Sequence, residues 1–249
     1  MVETLEWFED EAYWRTLAPV LFAEQRARAA GMQAIAALLG LGRGASILDV
    51  ACGPGLDSLS LARLGLRVTG VDRTGIYIQW ARRQAALAGL EIEFVQEDMR
   101  VFRRPAAFDA TVSFSTILGY SQDPEDDRRV AENVYKSLRA GGVLLIDQLA
   151  KDYLKRMGTC RDWQEVGRAV FLLERRLGED GETIMARDIY LREGQRREYR
   201  YAHRLYSAEG LSALLSESGF REVRLCGDLE GLPYTSASPR IVALARRVG

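Results

Sequence analysis

Asp49-Val50-Ala51-Cys52-Gly53-Pro54-Gly55 is a glycine-rich turn at the end of an apolar run that begins at Ile47. A helix-like run follows at 56–64, then a strand-like run at 67–71 that ends on Asp72. Strand, glycine turn, helix, strand and carboxylate in that order describe a mononucleotide-type binding unit. The glycines let a ligand approach the backbone where a Cβ would clash. A carboxylate at the second strand's tip can accept hydrogen bonds from both hydroxyls of a ribose.

The ligand is narrowed by what the turn lacks. A dinucleotide fingerprint asks for a third small residue where this chain has Ser58. Pro54 removes one N–H from the turn, and a pyrophosphate is held by such donors. Asp49 behind the glycines would repel a pyrophosphate but suits an ammonium-bearing ligand. S-adenosylmethionine (SAM) has an ammonium, a sulfonium and no phosphate, so on charge it fits better than NAD.

The stretch Asp49–Gly55 resembles motif I of the class I SAM-dependent methyltransferases. Four further stations resemble the same family in order: Gly70-Val71-Asp72, Phe94 to Met99, Phe108 to Phe114, and Leu138 to Asp147 with Ala140 in place of the usual proline. The resemblance is dense over 45–147. It implies that Asp49, Ala51, Cys52, Gly53 and Gly55 cradle SAM, with Cys52 packing beneath it. It implies that Asp72, with Arg73 beside it, holds the ribose. Asp98 would read the adenine amino group, Met99 would lie by the ring, and Phe114 and Ser115 would flank the sulfonium. The tail Asp228 to Tyr234 and Ser238-Pro239-Arg240 resembles a bacterial small-molecule subgroup with a G-D-x-x-G-x-P-Y…S-P-R ending, which includes enzymes that methylate amino sugars.

Around this core the chain reads as one α/β domain, and the resemblance implies a Rossmann-like doubly wound sheet of seven strands with strand 7 antiparallel. The short β-rich runs are 46–50, 67–71, 91–95, 108–114 and 142–147. They alternate with helical runs near 56–64, 74–88 and 123–139, which means parallel strands with helices on both faces. Asp123-Pro124 caps the last of these helices. Residues 1–40 form an expected helical lid, with Pro19 marking a break or a fresh helix start. Its aromatic cluster suits a helix packed on the domain or a cover for the cofactor, and the resemblance implies the latter for Tyr13 and Trp14. The core spans 45–150. Residues 164–206 form an antiparallel insertion of three runs, 165–176, 182–193 and 195–206, with turns at Asp180-Gly181 and Gly194-Gln195. In its last run the odd positions are largely aromatic and the even ones largely charged. This insertion is expected to serve the acceptor or the pairing of two copies of the chain. Residues 207–249 supply a last helix, capped by Ser207, and strands at 220–226 and 240–246.

Composition bounds the rest. A net charge of −1 gives no electrostatic case for nucleic acid. Three cysteines make no disulfide framework and fit a reducing compartment. With no signal-peptide pattern and no apolar run of bilayer length, the expectation is a cytoplasmic protein without a membrane partner.

The chain is poor in obvious bases. His203 is its only histidine, on the aromatic side of the insertion's last strand. His203 and Tyr120 are the candidate catalytic groups, and Tyr120, Tyr234 and Arg240 the candidates on the acceptor side. No His/Cys spacing suits a metal, so none is expected. The expected reaction is SN2 transfer of the SAM methyl to a small-molecule nucleophile, giving S-adenosylhomocysteine. The alternatives are a methyltransferase-like chain that binds SAM or its product without turnover, an NAD-dependent oxidoreductase, and a methyltransferase acting on RNA or protein.

Overall fold

A computed structural model of the chain describes residues 7–249; positions 1–6 of the expected lid lie outside them. The lid is a short 3₁₀ turn, Trp7–Glu9, then α1 (Glu11–Ala29) and α2 (Met32–Leu38). The core follows as β1 (Ser46–Val50), α3 (Leu56–Arg63), β2 (Arg67–Asp72), α4 (Gly75–Leu87), β3 (Glu93–Gln96), β4 (Phe108–Ser113), α5 (Pro124–Ser137) and β5 (Leu138–Leu149). Then come α6 (Lys151–Met157), the insertion strands β6 (Cys160–Val166), β7 (Ala169–Leu177), β8 (Thr183–Arg192) and β9 (Gln195–Arg204), and finally α7 (Ala208–Glu217), β10 (Arg221–Cys226) and β11 (Arg240–Arg246).

The main sheet has the order β10-β11-β5-β4-β1-β2-β3. Strands β1 to β5 pair in parallel, and β11 runs antiparallel to both β5 and β10. From β1 the chain winds outward to β3, then returns to β4 on the other side of β1. That reversal leaves a crevice beyond the C-terminal ends of β1 and β4, where ligands bind open α/β sheets. Every residue of β1 is buried, as a strand covered on both faces requires. Ile47 faces Met32, Ile35 and Leu61 of α2 and α3. Its neighbour Leu48 faces Val130, Val134 and Leu215 of α5 and α7.

Two glycines are fixed by one aromatic ring. Gly55 sits at φ +76°, and a Cβ there would lie 2.8 Å from Ala81 Cβ and 2.9 Å from Phe94. Gly70, in the middle of β2, would put a Cβ 2.8 Å from Phe94 and 3.1 Å from Cys52 Sγ. The ring of Phe94 fills the place where both side chains would be.

The insertion is a four-stranded antiparallel sheet, β6-β7-β8-β9. It begins four positions before the expected boundary, and neither α6 nor β6 is foreshadowed by the sequence pattern. Only Leu154 of α6 is buried, and β6 is mostly exposed, so neither carries a periodic apolar stripe. Arg192 pairs with Gln195 across Glu193 and Gly194, at φ +49° and +76°. Two successive positive φ values are what a type I′ hairpin demands. The alternation in β9 places His203 inside and Arg196 and Arg200 outside. Phe171 of β7 packs on Val20 of α1, tying insertion to lid. Pro19 does not break α1, which runs through it. Burial of Tyr13, Val20 and Gln25 along the helix outweighs the one backbone bond that the proline lacks.

Overpacking a core costs about 1–3 kcal/mol. Gly70→Ala is therefore expected to destabilise the chain by about 2 kcal/mol in urea unfolding. In a Phe94→Leu background the same change should cost much less, because the smaller side chain vacates the space. An equal cost in both backgrounds contradicts the steric account.

Candidate functional site

A cavity of about 1100 Å³, counting the space open at its mouth, lies at the C-terminal edge of the sheet beneath α1. Its floor comes from the tips of β1, β2, β3 and β4, and its roof from Phe8, Trp14, Leu21, Glu24, Gln25 and Arg28. Leu21, Glu24, Gln25 and Arg28 recur at the spacing of one helix face.

The turn after β1 is held from three sides. Asp72 Oδ2 accepts the Gly53 N–H at 2.8 Å, and its Oδ1 accepts the Thr74 N–H at 2.7 Å. One carboxylate thus joins the turn to the start of α4. From the roof, Gln25 Nε2 donates to the Cys52 carbonyl at 3.1 Å, and its Oε1 accepts the Leu56 N–H at 3.0 Å. Below, Ser58 Oγ donates to Asp49 Oδ2 at 2.5 Å. Ser58, the residue that spoils a dinucleotide fingerprint, is there to hold Asp49. A Cβ at Gly53 would meet no protein atom nearer than Gln25 Nε2 at 3.6 Å, so the turn is open toward the cavity there.

Three non-glycine residues on the cavity wall have positive φ: Ala51 at +54°, Ser115 at +68° and Thr116 at +61°. Such residues cost about 1–3 kcal/mol each and gather at functional sites. The pair at the tip of β4 is held by backbone bonds. Thr116 N–H donates to the Asp147 carbonyl at 3.0 Å, and Thr116 Oγ1 accepts the Leu149 N–H at 2.8 Å.

Carboxylates dominate the floor. Asp49 is 2% exposed, and burial, then the charge of Asp57, pushes its carboxyl up to about 8. Burial also raises Asp57 and Asp72, against the pull of Arg28 and of backbone N–H groups respectively. Arg28 reaches Asp57 through Nε at 3.2 Å and Nη2 at 3.1 Å, and it also donates to Ser115 Oγ at 3.2 Å. Its guanidinium lies 4.6 Å from the centre of the Phe114 ring. At the other end, the Phe8 ring is flanked by Arg73 at 5.2 Å and Arg100 at 5.6 Å. Arg73 also meets Glu9 at 3.0 Å, and its Nη1 is buried without a partner among the described residues.

Of the residues expected from sequence, Asp49, Ala51, Cys52, Gly53, Asp72, Arg73, Met99, Phe114, Ser115, Trp14 and Tyr120 line this cavity. Others lie off its wall. Gly55 faces Ala81 and Phe94, so its lack of a side chain serves packing. Asp98 is turned onto Arg100 by three bonds of 2.7–3.0 Å; burial would raise its carboxyl, but those bonds hold it below its ordinary value. Tyr13 points the other way, donating to Asp188 of the insertion at 3.1 Å. Tyr234 donates to Asp152 at 2.8 Å, and Arg240 pairs with Asp147. His203 is buried among Trp7, Tyr120 and Tyr201. Its Nδ1 donates to the Arg204 carbonyl at 3.0 Å, and burial pushes the imidazole down to about 4. It is therefore neutral at pH 7. Sequence reasoning missed Glu24, Gln25, Arg28 and Tyr77. The first three form the helix-face stripe that could have revealed them.

Comparison with known proteins agrees with this fold. Residues 47–142 match a family described as a methyltransferase domain. A ubiquinone biosynthesis O-methyltransferase of Xanthomonas euvesicatoria is 36% identical over 109 residues, 43% of this chain and 44% of its own. The chain spans about two fifths of the length of the curated relatives it matches. Among solved structures, the CcbJ methyltransferase of Streptomyces caelestis superposes with a TM-score of 0.75 at 20% identity, over 88% of this chain and 96% of that one. The fold is that of the SAM-dependent methyltransferases. A SAM-bound amino pentose methyltransferase of Micromonospora echinaspora has the same fold, with a TM-score of 0.63 at 20% identity over 96% of each chain. Among the described residues of this methyltransferase fold, no helix is long and apolar enough to cross a membrane, and no cluster of three or more His, Cys, Asp or Glu side chains is placed to hold a metal.

The sign of the Asp49 shift makes a stability prediction. A raised carboxyl favours the folded state while it is protonated. That contribution is full below about pH 4 and is lost as the pH rises through about 8. Asparagine keeps the acceptor for Ser58 without the charge. Asp49→Asn is thus expected to melt several degrees higher than the wild type at pH 9, at about 2–4 °C per kcal/mol, and at the same temperature near pH 4. A lower melting temperature at pH 9 contradicts it.

Proposed function

We propose that this chain binds SAM in the cavity and transfers its methyl group to a small-molecule acceptor. The observation that carries the reading is the Asp72 carboxylate. It is fixed by two backbone N–H groups beside the open side of Gly53, and it keeps further lone pairs for a pair of ribose hydroxyls. Around it the residues fit the rest of the molecule. Met99 and Phe8 offer apolar surface for a purine. Arg73 Nη1, without a partner among the described residues, offers a donor near the ribose. Asp57, and Asp49 once an entering cation draws off its proton, suit the ammonium of the amino-acid end, and Arg28 suits its carboxylate. Phe114 and Ser115 face the sulfonium. The Asp57 and Asp72 carboxylates on the floor disfavour a pyrophosphate, so a nicotinamide dinucleotide fits poorly.

SAM supplies a methyl group on cationic sulfur, a strong electrophile with a good leaving group. What the chain adds is position: the cradle fixes one reactant, and the lid excludes water while the acceptor's nucleophile is aligned. We treat 1–249 as one domain, with α1 and the insertion enclosing the acceptor end. The amino pentose enzyme among the structural neighbours directs a first acceptor panel toward amines.

Calorimetric titration tests the reading. SAM should bind and NAD should not. Asp72→Asn should weaken SAM by about 100-fold, the loss of two charge-assisted bonds. Transfer of labelled methyl to a member of an amine and hydroxyl panel should follow. Tight NAD binding without SAM binding contradicts the proposal; SAM binding with no transfer to any acceptor favours a non-catalytic binder.

A further inference from the structure

Glu24 lines the cavity on the same wall as Tyr120. Burial first, and then neighbouring charges that include Tyr201 and Glu24, push the Tyr120 phenol up. Neither a hydrogen bond nor an ion pair reaches the Glu24 carboxylate from the described residues. Three arginines act on it, and each already has a carboxylate of its own. Arg28 pairs with Asp57 at 3.1 Å, Arg175 with Asp188 at 2.5 Å, and Arg240 with Asp147. Asp57, Asp147 and Asp188 are almost fully buried. Among these seven side chains three cations meet three anions and Glu24 is the surplus negative charge; on the floor, Asp49 is pushed toward neutrality by burial and Asp72 is held by two backbone N–H groups. Burial pushes its carboxyl up, while Arg28 and Arg240 oppose the shift. Glu24 is half-buried at the cavity wall; a carboxylate partly withdrawn from water with no bonded partner is unfavourable, and a cation entering the cavity relieves it.

We propose that Glu24 is the counterion and proton acceptor for a basic amine on the methyl acceptor, and so selects amines over alcohols. The inference rests on the methyl-transfer reading above. The acceptor enters as an ammonium. One N–H proton moves to a Glu24 oxygen, leaving a neutral amine and a neutral carboxylic acid. The nitrogen lone pair then forms the N–C bond to the methyl as the S–C bond breaks, with that bond's electron pair staying on sulfur. Positive charge passes from sulfur to nitrogen, and Glu24 returns its proton to water when the methylated ammonium leaves. A carboxyl raised toward neutrality is a better proton acceptor for this step than one in the ordinary range.

The test uses the full chain, methyl-labelled SAM and two matched probe sets: sugars and cycloalkanes bearing a primary amine, and the same skeletons bearing a hydroxyl. The wild type should label the amine set. Glu24→Gln should keep its SAM affinity by titration but lose about 100-fold in amine kcat/KM, the lower range for a general base. Its rate should recover at high pH as the free amine becomes abundant in solution. Glu24→Asp should restore part of the rate at neutral pH. With no acceptor present, Glu24→Gln should melt higher than the wild type at pH 8, because the surplus charge is gone. A lower melting point at pH 8, amine labelling undiminished in Glu24→Gln, or labelling of the hydroxyl set alone overturns the role of Glu24 and leaves methyl transfer standing. A wild type that binds SAM and labels neither set overturns both.

Discussion

The Asp72 carboxylate is the constraint on which the site depends. β1 and β2 are parallel neighbours; past β1, Cys52 N–H still donates to the Val71 carbonyl of β2, and the ladder ends there. Asp72 supplies one oxygen to each loop, at Gly53 and at Thr74. The two tips are thereby locked together, and Gly53 is left open to the cavity. Burial of this carboxylate is compensated because both oxygens accept backbone donors. The same group that closes the structure also presents the acceptor lone pairs that a ribose requires.

The lid completes the site through long-range bonds. Gln25 spans the glycine turn, and Arg28 joins α1 to Asp57 and to the strained tip of β4. The Tyr77 hydroxyl donates to the Trp14 carbonyl, and Tyr13 reaches Asp188 in the insertion. Cradle, roof and insertion therefore meet along one helix. Charge is distributed so that Arg28 on the roof is paired with Asp57, while the floor keeps carboxyl groups raised by burial. Such a cavity is poised for a ligand that brings positive charge, and both an ammonium-bearing methyl donor and a basic acceptor do so.

Much of this was legible in the sequence, for physical reasons. The core strands are short apolar runs whose ends coincide with glycines or carboxylates, so 46–50 and 240–246 read correctly to the residue. The cap of α5 follows from Asp123-Pro124, and Asp123 does accept the Glu125 N–H. Local chemistry of that kind is written in adjacent letters. The role of Gln25 and Arg28 is not, because their partners lie about 30 positions away and no motif links them. Asp98 matched a family station, yet here its oxygens are taken by Arg100. Gly55 matched as well, but for packing against Phe94. The helix α6 and strand β6 were hidden because a mostly exposed seven-residue element shows no period. Pro19 misled because one missing bond is weak beside the burial of a whole helix face.

The central claim is that this cavity is an adenosine site keyed by Asp72. A crystal structure of the chain with S-adenosylhomocysteine tests it most directly. The account predicts both ribose hydroxyls within about 2.6–3.0 Å of the Asp72 oxygens, and the sulfur between Phe114 and Ser115 on the side facing Glu24. A nucleoside bound elsewhere, or a ribose held by other groups with Asp72 untouched, would contradict it.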